Sequence, residues 1–367
     1  MATPKFSNVQ ESFHAELKRR INAYFDERGK KPTGNWELFL KASILMVSFI
    51  GLYIHLVFFT PPVVWAIAEC VLMSLVIAGI GFNVMHDGGH GSFSENKTLN
   101  KVAAMTLNML GGNSFMWNNK HNIIHHAYTN VDGYDDDINI QPFMRMSETQ
   151  PKYKIHKYQH LYFWILYSLL YILWIFVLDY NKYFKKQIGH VPLKRMSVSD
   201  HVTFWISKVL NMAVFVVIPI IMVGFTQWVV GFLLITFLTG FVISIVFQLA
   251  HTVEHTSFPV PDKVTGRLED EWAVHQIKTT ANFATHNKLV CWFVGGLNFQ
   301  IEHHLFPKIS HIHYPAISKI IRKACQDYGI TYIEYPRVRY AVASHVNFLK
   351  EMGRKQEVIL SGSKTST

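Results

Sequence analysis

Histidine is the residue type with the most chemistry to offer in this chain: 20 His stand against 25 Asp plus Glu. At neutral pH such an excess serves metal ligation better than it serves charge. Seven of the histidines fall in three short clusters, His86-Asp-Gly-Gly-His90, His121-Asn-Ile-Ile-His125-His126 and Gln300-Ile-Glu-His303-His304. His86 and His90 are four residues apart, which on a helix stacks two imidazoles on one face. In the second cluster His121 and His125 share a face in the same way, while His126 is turned away by roughly 100°, so three imidazoles can serve two adjacent metals. The pair His303-His304 diverges likewise, which suits a bridge between two ions better than one closed tetrahedral zinc site. Each cluster taken singly is also compatible with a polar, His-rich helix end; the three together point to metal.

His251, which ends an apolar stretch, is the expected eighth ligand, with His255 four residues on as the weaker candidate. Gln300 offers a carbonyl, suited to a bound water or a hydrogen bond. Asp87, Glu302 and the acidic run from Asp132 to Asp137 are expected to fix imidazole tautomers from outside the ligand shell. The run lacks the alternation of oxygen ligands and the terminal Glu of an EF-hand, so calcium is not indicated. Gly88 and Gly89 weaken a helix but let a metal or a neighbouring element come close.

Imidazole alone admits zinc, copper, nickel or iron. The two Glu-x-x-His motifs of a soluble di-iron carboxylate site do not surround these clusters. There is no His-Glu-x-x-His of a zinc hydrolase. Cys70, Cys291 and Cys325 show no C-x-x-C spacing, which argues against an iron–sulfur domain or c-type haem and leaves buried thiols.

Something must bring clusters separated by more than 200 residues together. Half of the chain is hydrophobic and only 16% is charged, well short of the usual quarter for soluble domains. Five apolar stretches reach or approach the roughly 20 residues that span a bilayer: 42–59, 63–85, 161–178, 209–225 and 228–249. Thr60-Pro61-Pro62 joins the first two and Thr226-Gln227 the last two, so each pair is expected to form a hairpin with a tight, uncharged outer turn.

Basic residues lie at the other ends, in the N-terminal arm, at Lys152/Lys154/Lys157, at Lys182 to Arg195 and in the C-terminal part. The positive-inside rule places all of these in the cytoplasm. Both ends of 161–178 then share one side, so that stretch is expected to lie along the interface, and four crossings remain. With this parity His86, His90, His121 to His126, His251, His303 and His304 all emerge on the cytoplasmic face. His55 and Glu69, inside apolar stretches, are expected to be locally satisfied. A transporter or b-haem carrier would bury its ionisable or axial groups deep in the bundle. The clusters sit at helix ends instead.

The formal net charge of +10 could signal nucleic acid, but the basic residues flank apolar segments and form no stripe with exposed aromatics. Residues 1–35 read as a polar cytoplasmic arm without the apolar core of a signal peptide. Residues 36–350 read as one unit, and 351–367 as an unstructured tail.

These motifs resemble those of the membrane fatty acid desaturases, whose pattern is three histidine boxes flanking transmembrane hairpins. The similarity runs from Asn83 to Ile321. Its most specific stretch, Gln300-Ile-Glu-His-His-Leu-Phe-Pro307, looks like the third box of front-end desaturases and of several bacterial acyl-CoA and acyl-lipid desaturases. Gln248-Leu-Ala-His251 is similar to a family position that supplies one further metal-binding His. Gln300 stands where other branches carry His, which argues against direct ligation.

The resemblance implies an all-α integral membrane protein: four transmembrane helices in two hairpins, under a cytoplasmic helical cap that houses the di-metal site. It implies two non-haem iron ions, O₂ as co-substrate and a long-chain acyl-CoA or acyl-lipid as substrate, with Δ6 or Δ5 regiochemistry favoured over Δ9. A bacterial inner membrane is expected rather than the endoplasmic reticulum. The chain has no His-Pro-Gly-Gly haem motif, so electrons are expected from a separate ferredoxin or cytochrome b5 with its reductase. The rival readings are a di-iron lipid hydroxylase or ketolase and, in a different class, a membrane zinc hydrolase.

Overall fold

The computed structural model describes residues 4–7 and 12–356. Five helices in it are long and apolar enough to cross a membrane: α2 (Trp36–Phe59), α3 (Val63–His90), α6 (Lys154–Lys185), α7 (Val198–Val223) and α8 (Phe225–His251). Around them stand α1 (Phe13–Arg28), α4 (Lys97–Met109), α5 (residues 114–128), α9 (Trp272–Lys278), α10 (Lys288–Phe293), α11 (Gln300–Leu305), α12 (Tyr314–Asp327) and α13 (Val338–Met352). Among the described residues, strands are confined to two short pairs, antiparallel β1 (Gln187–Ile188) with β2 (Val191–Pro192) and parallel β3 (Asn282–Phe283) with β4 (Glu334–Tyr335).

Local chemistry sets the boundaries. Asn35 caps α2 by accepting from the backbone N–H groups of Glu37 and Leu38, two donors that the helix itself leaves unpaired. Ser197 and Asp200 form a capping box at the start of α7. Thr60-Pro61-Pro62 ends α2, since proline has no N–H to continue the ladder. The second hairpin turns earlier than the expected Thr226-Gln227: Gly224 adopts φ 85° and breaks the helix, so Thr226 and Gln227 already belong to α8.

The expected polar arm contains a helix. Phe13, Leu17, Ile21 and Phe25 recur every four residues on α1 and are buried against α9, α11 and α12, the apolar stripe of an amphipathic helix. The C-terminal segment also differs from expectation. Residues 351–352 finish α13, and the backbone carbonyls of Met352, Lys355 and Gln356 accept hydrogen bonds from the wholly buried guanidinium of Arg145. Residues 357–367 of the expected tail lie outside the described residues.

The aromatic stretch 161–178 belongs to α6, a continuous helical run of 32 residues. Its middle crosses α8 where Gly240 meets the Ser168 carbonyl; a Cβ there would sit 2.5 Å from that oxygen. His55 and Glu69 face each other across the first hairpin, Nδ1 to Oε1 2.9 Å, as the expectation of local satisfaction requires.

Candidate metal centre

Four elements deliver the histidines. His86 and His90 form the last turn of α3, directly after a π-helical stretch Gly81–Met85. His121, His125 and His126 lie on α5, whose Asn119–His125 stretch is also π-helical. The regular 3.6-residue turn expected there gives way to a wider one, a distortion common at functional sites. His121 and His125 still share a face, their rings stacked 5.3 Å apart at 21°, and His126 diverges from His121 at 87°. His251 is the last residue of α8, and His303 and His304 lie on α11.

The structure brings all eight together. One group comprises His86, His90, His121 and His303, a second His125, His251 and His304, and a third His126, His303 and His304; within each, the candidate ligand atoms lie within 4.8 Å of one another. His303 is shared by the first and third groups and His304 by the second and third, so the divergent pair links them. The Nε2 atoms of His90, His125, His251, His303 and His304 are buried without a hydrogen-bond partner. Those of His86 and His126 stand 3.3 Å and 3.2 Å from His121 Nε2. Buried nitrogens left unpaired or facing one another are costly unless a cation lies between them. Burial, reinforced by mutual repulsion, pushes His121, His126, His303 and His304 well below the usual histidine range. They are therefore held in the neutral form that ligates metal.

The opposite ring nitrogens are anchored. His125 Nδ1–H donates to Asp135 Oδ2 at 3.0 Å. His304 Nδ1–H donates to Gln276 Oε1 at 2.8 Å. His251 Nδ1 points at the Thr279 carbonyl at 3.4 Å, and His303 Nδ1 lies 3.3 Å from the Tyr314 hydroxyl. Each contact turns an Nε2 lone pair toward the cluster. Burial would lower the His125 pKa, but the Asp135 carboxylate outweighs it and raises it. Asn130, just beyond the second cluster, donates to the carbonyls of His251 and Thr279 and so stitches α5 to the end of α8.

Not every expected residue takes the expected place. Among the acidic side chains, Asp135 and Asp137 face His125, while Asp136 and Asp137 pair with Lys120. Asp87 reaches none of the clustered imidazoles; its Oδ2 accepts from Ser310 at 2.7 Å and from His311 at 3.0 Å. Glu302 points away from the cluster to Asn282 and Tyr332, and burial pushes its carboxyl up to about 7. Helical geometry explains both: each carboxylate neighbours a clustered His in sequence, so it projects from a different side of its helix. Gln300 is buried, with Oε1 unpartnered among the described residues. His255 lies outside the cluster, exposed at a backbone φ of 76°.

The sequence reading passed over Trp117, Gln276, Thr279, Asn130, Ser310, His311 and Tyr314. Trp117 stacks on His121 at 4.6 Å and edges His86 and His90. Gly89 makes this approach possible, since a Cβ there would come within 2.2 Å of the indole. Gly88 similarly admits Ala103 of α4, 2.6 Å from where its Cβ would be. Trp117 precedes His121 by four residues, a helical spacing that could have flagged it. The others come from separate elements and carry no such signal.

A sequence profile of fatty acid desaturases matches residues 60–336. The chain is 34% identical to the sn-1 linoleoyl-lipid 6-desaturase of Arthrospira platensis, over 94% of each chain. It is 36% identical to a protein of that name from Synechocystis sp., over 93% of this chain and 96% of the relative. To the acyl-lipid (8-3)-desaturase of Physcomitrium patens it is 32% identical, over 96% of this chain and 74% of the other. With its three histidine boxes converging on one buried cluster, the chain belongs to the fatty acid desaturase family.

Proposed function

We propose that this protein introduces a cis double bond at the Δ6 position of a long acyl chain esterified in a membrane lipid. It uses O₂ and two externally supplied electrons. The observation that carries this reading is the convergence of eight imidazoles from four elements, seven buried and His90 half-buried, five of them with Nε2 unpartnered. The bond position and the lipid carrier rest on the names of the two cyanobacterial relatives. The reaction removes one hydrogen from each of two adjacent methylenes; with O₂, two electrons and two protons it yields the alkene and two waters.

Two non-haem iron ions, held by His86, His90, His121, His125, His126, His251, His303 and His304, would supply the oxidising power that an unactivated C–H bond demands. The chain's own residues hold and orient that centre. Asp135, Gln276, Tyr314 and Thr279 fix imidazole direction, and Trp117 walls one side. Burial of the cluster under α9, α11 and α12 keeps water from a reactive centre.

Four crossings, α2, α3, α7 and α8, with α6 along the interface, agree best with the contacts of α6. Near its start His156 reaches the Pro142 carbonyl and Gln159 pairs with Arg145. Near its end Asp179 binds Lys208 at 3.1 Å, and Lys182 lies within the field of Asp136 and Asp137. The start of α6 is thus tied to the segment that follows the second cluster, while its end is tied to α7 and lies close to that segment's acidic residues. A run of 32 residues, roughly 48 Å, is also well over the 30 Å of a hydrocarbon core. In this topology the cluster faces the cytoplasm of a bacterial cell, and the catalytic unit extends beyond 36–350 to include α1 and residues 351–356, which pack into it.

Expression in a bacterial host of known lipid composition, with double-bond positions read by mass spectrometry of intact lipids, tests the proposal. New Δ6 unsaturation supports it. A hydroxylated or keto product would favour the sister oxygenase chemistry, and new unsaturation only at Δ9 would overturn the regiochemistry.

A further inference from the structure

Two of the four electrons that convert O₂ to two waters come from the substrate, so two must come from a reductant. Cys70, Cys291 and Cys325 are separate free thiols, too dispersed to hold a sulfur-ligated cluster within the chain. The reductant must therefore reach the buried histidines across the protein surface.

One surface is linked to them directly. α12 begins at Tyr314, whose hydroxyl lies 3.3 Å from His303 Nδ1. On α9, Trp272 Nε1–H donates to the His126 carbonyl at 3.2 Å, and its indole meets His14 of α1 edge-on at 4.9 Å. α1 lies along α12, joined by Arg20 to Asp327 at 2.7 Å, by Phe13 on Tyr328 and by Phe25 on His313.

The outer side of this pair is basic. α1 and α12 together carry seven Lys and Arg against four Asp and Glu; Lys18 and Lys319 are exposed, as are Arg19 and Lys323, which pair with Glu16 and Asp327 on the solvent-facing side. Trp117 also touches the cluster, but its own turn offers the neutral amides Asn118 and Asn122. Lys120 there is already paired with Asp136 and Asp137. The basic residues at Lys152 to Lys157 and Lys182 to Arg195 adjoin apolar helices, where lipid phosphates compete for them.

We propose that the outer face of α1 and α12 docks a small acidic protein that carries one electron at a time, an iron–sulfur or haem carrier. This rests on the desaturase reading above. Each encounter oxidises the carrier by one electron and reduces the histidine-held centre by one; two encounters, with two protons from solvent, complete the balance. Opposite charge steers such encounters and makes them sensitive to salt.

The test uses the full chain in neutral-lipid nanodiscs and an oxidised, acidic [2Fe–2S] ferredoxin as probe. The double reversal K319E/K323E is expected to weaken ferredoxin binding at low salt by on the order of tenfold, whereas K185E/K186E leaves it unchanged. The difference should shrink in 0.5 M salt, where screening is strong. Equal effects of the two reversals, or none from K319E/K323E, would overturn the assignment. So would a K319E/K323E protein that binds ferredoxin normally but loses affinity for phosphatidylglycerol vesicles. With dithionite as reductant, K319E/K323E should form product at the unsubstituted rate. No product from either protein with either reductant would instead count against desaturation itself.

Discussion

At the scale of single residues, the cluster depends on groups that touch the imidazoles as much as on the imidazoles. Asp135 is the nearer of the two carboxylates that face His125, at 3.0 Å against 3.5 Å for Asp137, so Asp135→Asn keeps the shape and removes most of the charge that raises the basicity of that ring. Losses of this kind typically cost 10–100-fold in metal affinity, and an iron-binding titration of the variant should fall in that range. Gly89→Ala makes a second case. A Cβ cannot coexist with Trp117 at 2.2 Å, so the indole must leave His121 or α3 must shift. Activity should drop at least tenfold, and Gly89→Ala combined with Trp117→Ala should recover part of the iron content. No loss in the single variant would mean that the indole moves freely.

The clustered histidines were legible in the sequence because two pairs recur at i, i+4 and two stand side by side; His251 was legible from its place at the end of an apolar run. What Asp87 and Glu302 do was not. Sequence adjacency to a clustered His suggests contact, whereas a helix sends neighbouring side chains in different directions. Gln276 and Tyr314 reach the site from α9 and α12, a relation that exists only after folding.

At the scale of elements, the turns and helix ends hold the clusters in register. The ends of α2 and α3 that flank Thr60-Pro61-Pro62 could be read from proline, whereas α2 begins six residues before the expected 42 and α3 runs on to His90; the π-helical stretches before His86 and within the second cluster could not be read, because no residue type marks them. The helix in the N-terminal arm was overlooked although Phe13, Leu17, Ile21 and Phe25 carry a four-residue period; charged residues between them masked it.

Arg145 is the most exposed to test among the connecting residues. It donates to the carbonyls of Glu148, Gln150, Met352, Lys355 and Gln356. Arg145→Leu leaves buried acceptors unpaired, and each such group costs about 1–3 kcal/mol. The variant should unfold at a lower temperature in detergent and lose protection from proteolysis around α13. An unchanged melting temperature would show that water replaces the guanidinium at no cost. The interfacial placement of α6 has its own check. Single cysteines at Tyr153 and Lys186, in a cysteine-free background, should both react with a membrane-impermeant reagent from the cytoplasmic side. Labelling from opposite sides would make α6 a fifth crossing.

At the scale of the whole molecule, hairpins from distant parts of the sequence deliver ligands to one buried volume, with the cap formed by α1, α9, α11 and α12 closing over it. The membrane positions the helix ends, and the cap supplies the last two histidines together with the groups that orient them. A metal centre built this way couples ligation to tertiary structure, so removing iron should loosen the cap. Hydrogen exchange in α11 and α12 should accelerate on chelation and slow again when iron is restored. The central claim is that these eight histidines hold two iron ions. Its most direct test is metal analysis of the purified protein, alone and with His304→Ala. Two irons per chain, falling sharply in the variant, is the predicted result; zinc in place of iron, or full iron retention by His304→Ala, would contradict it.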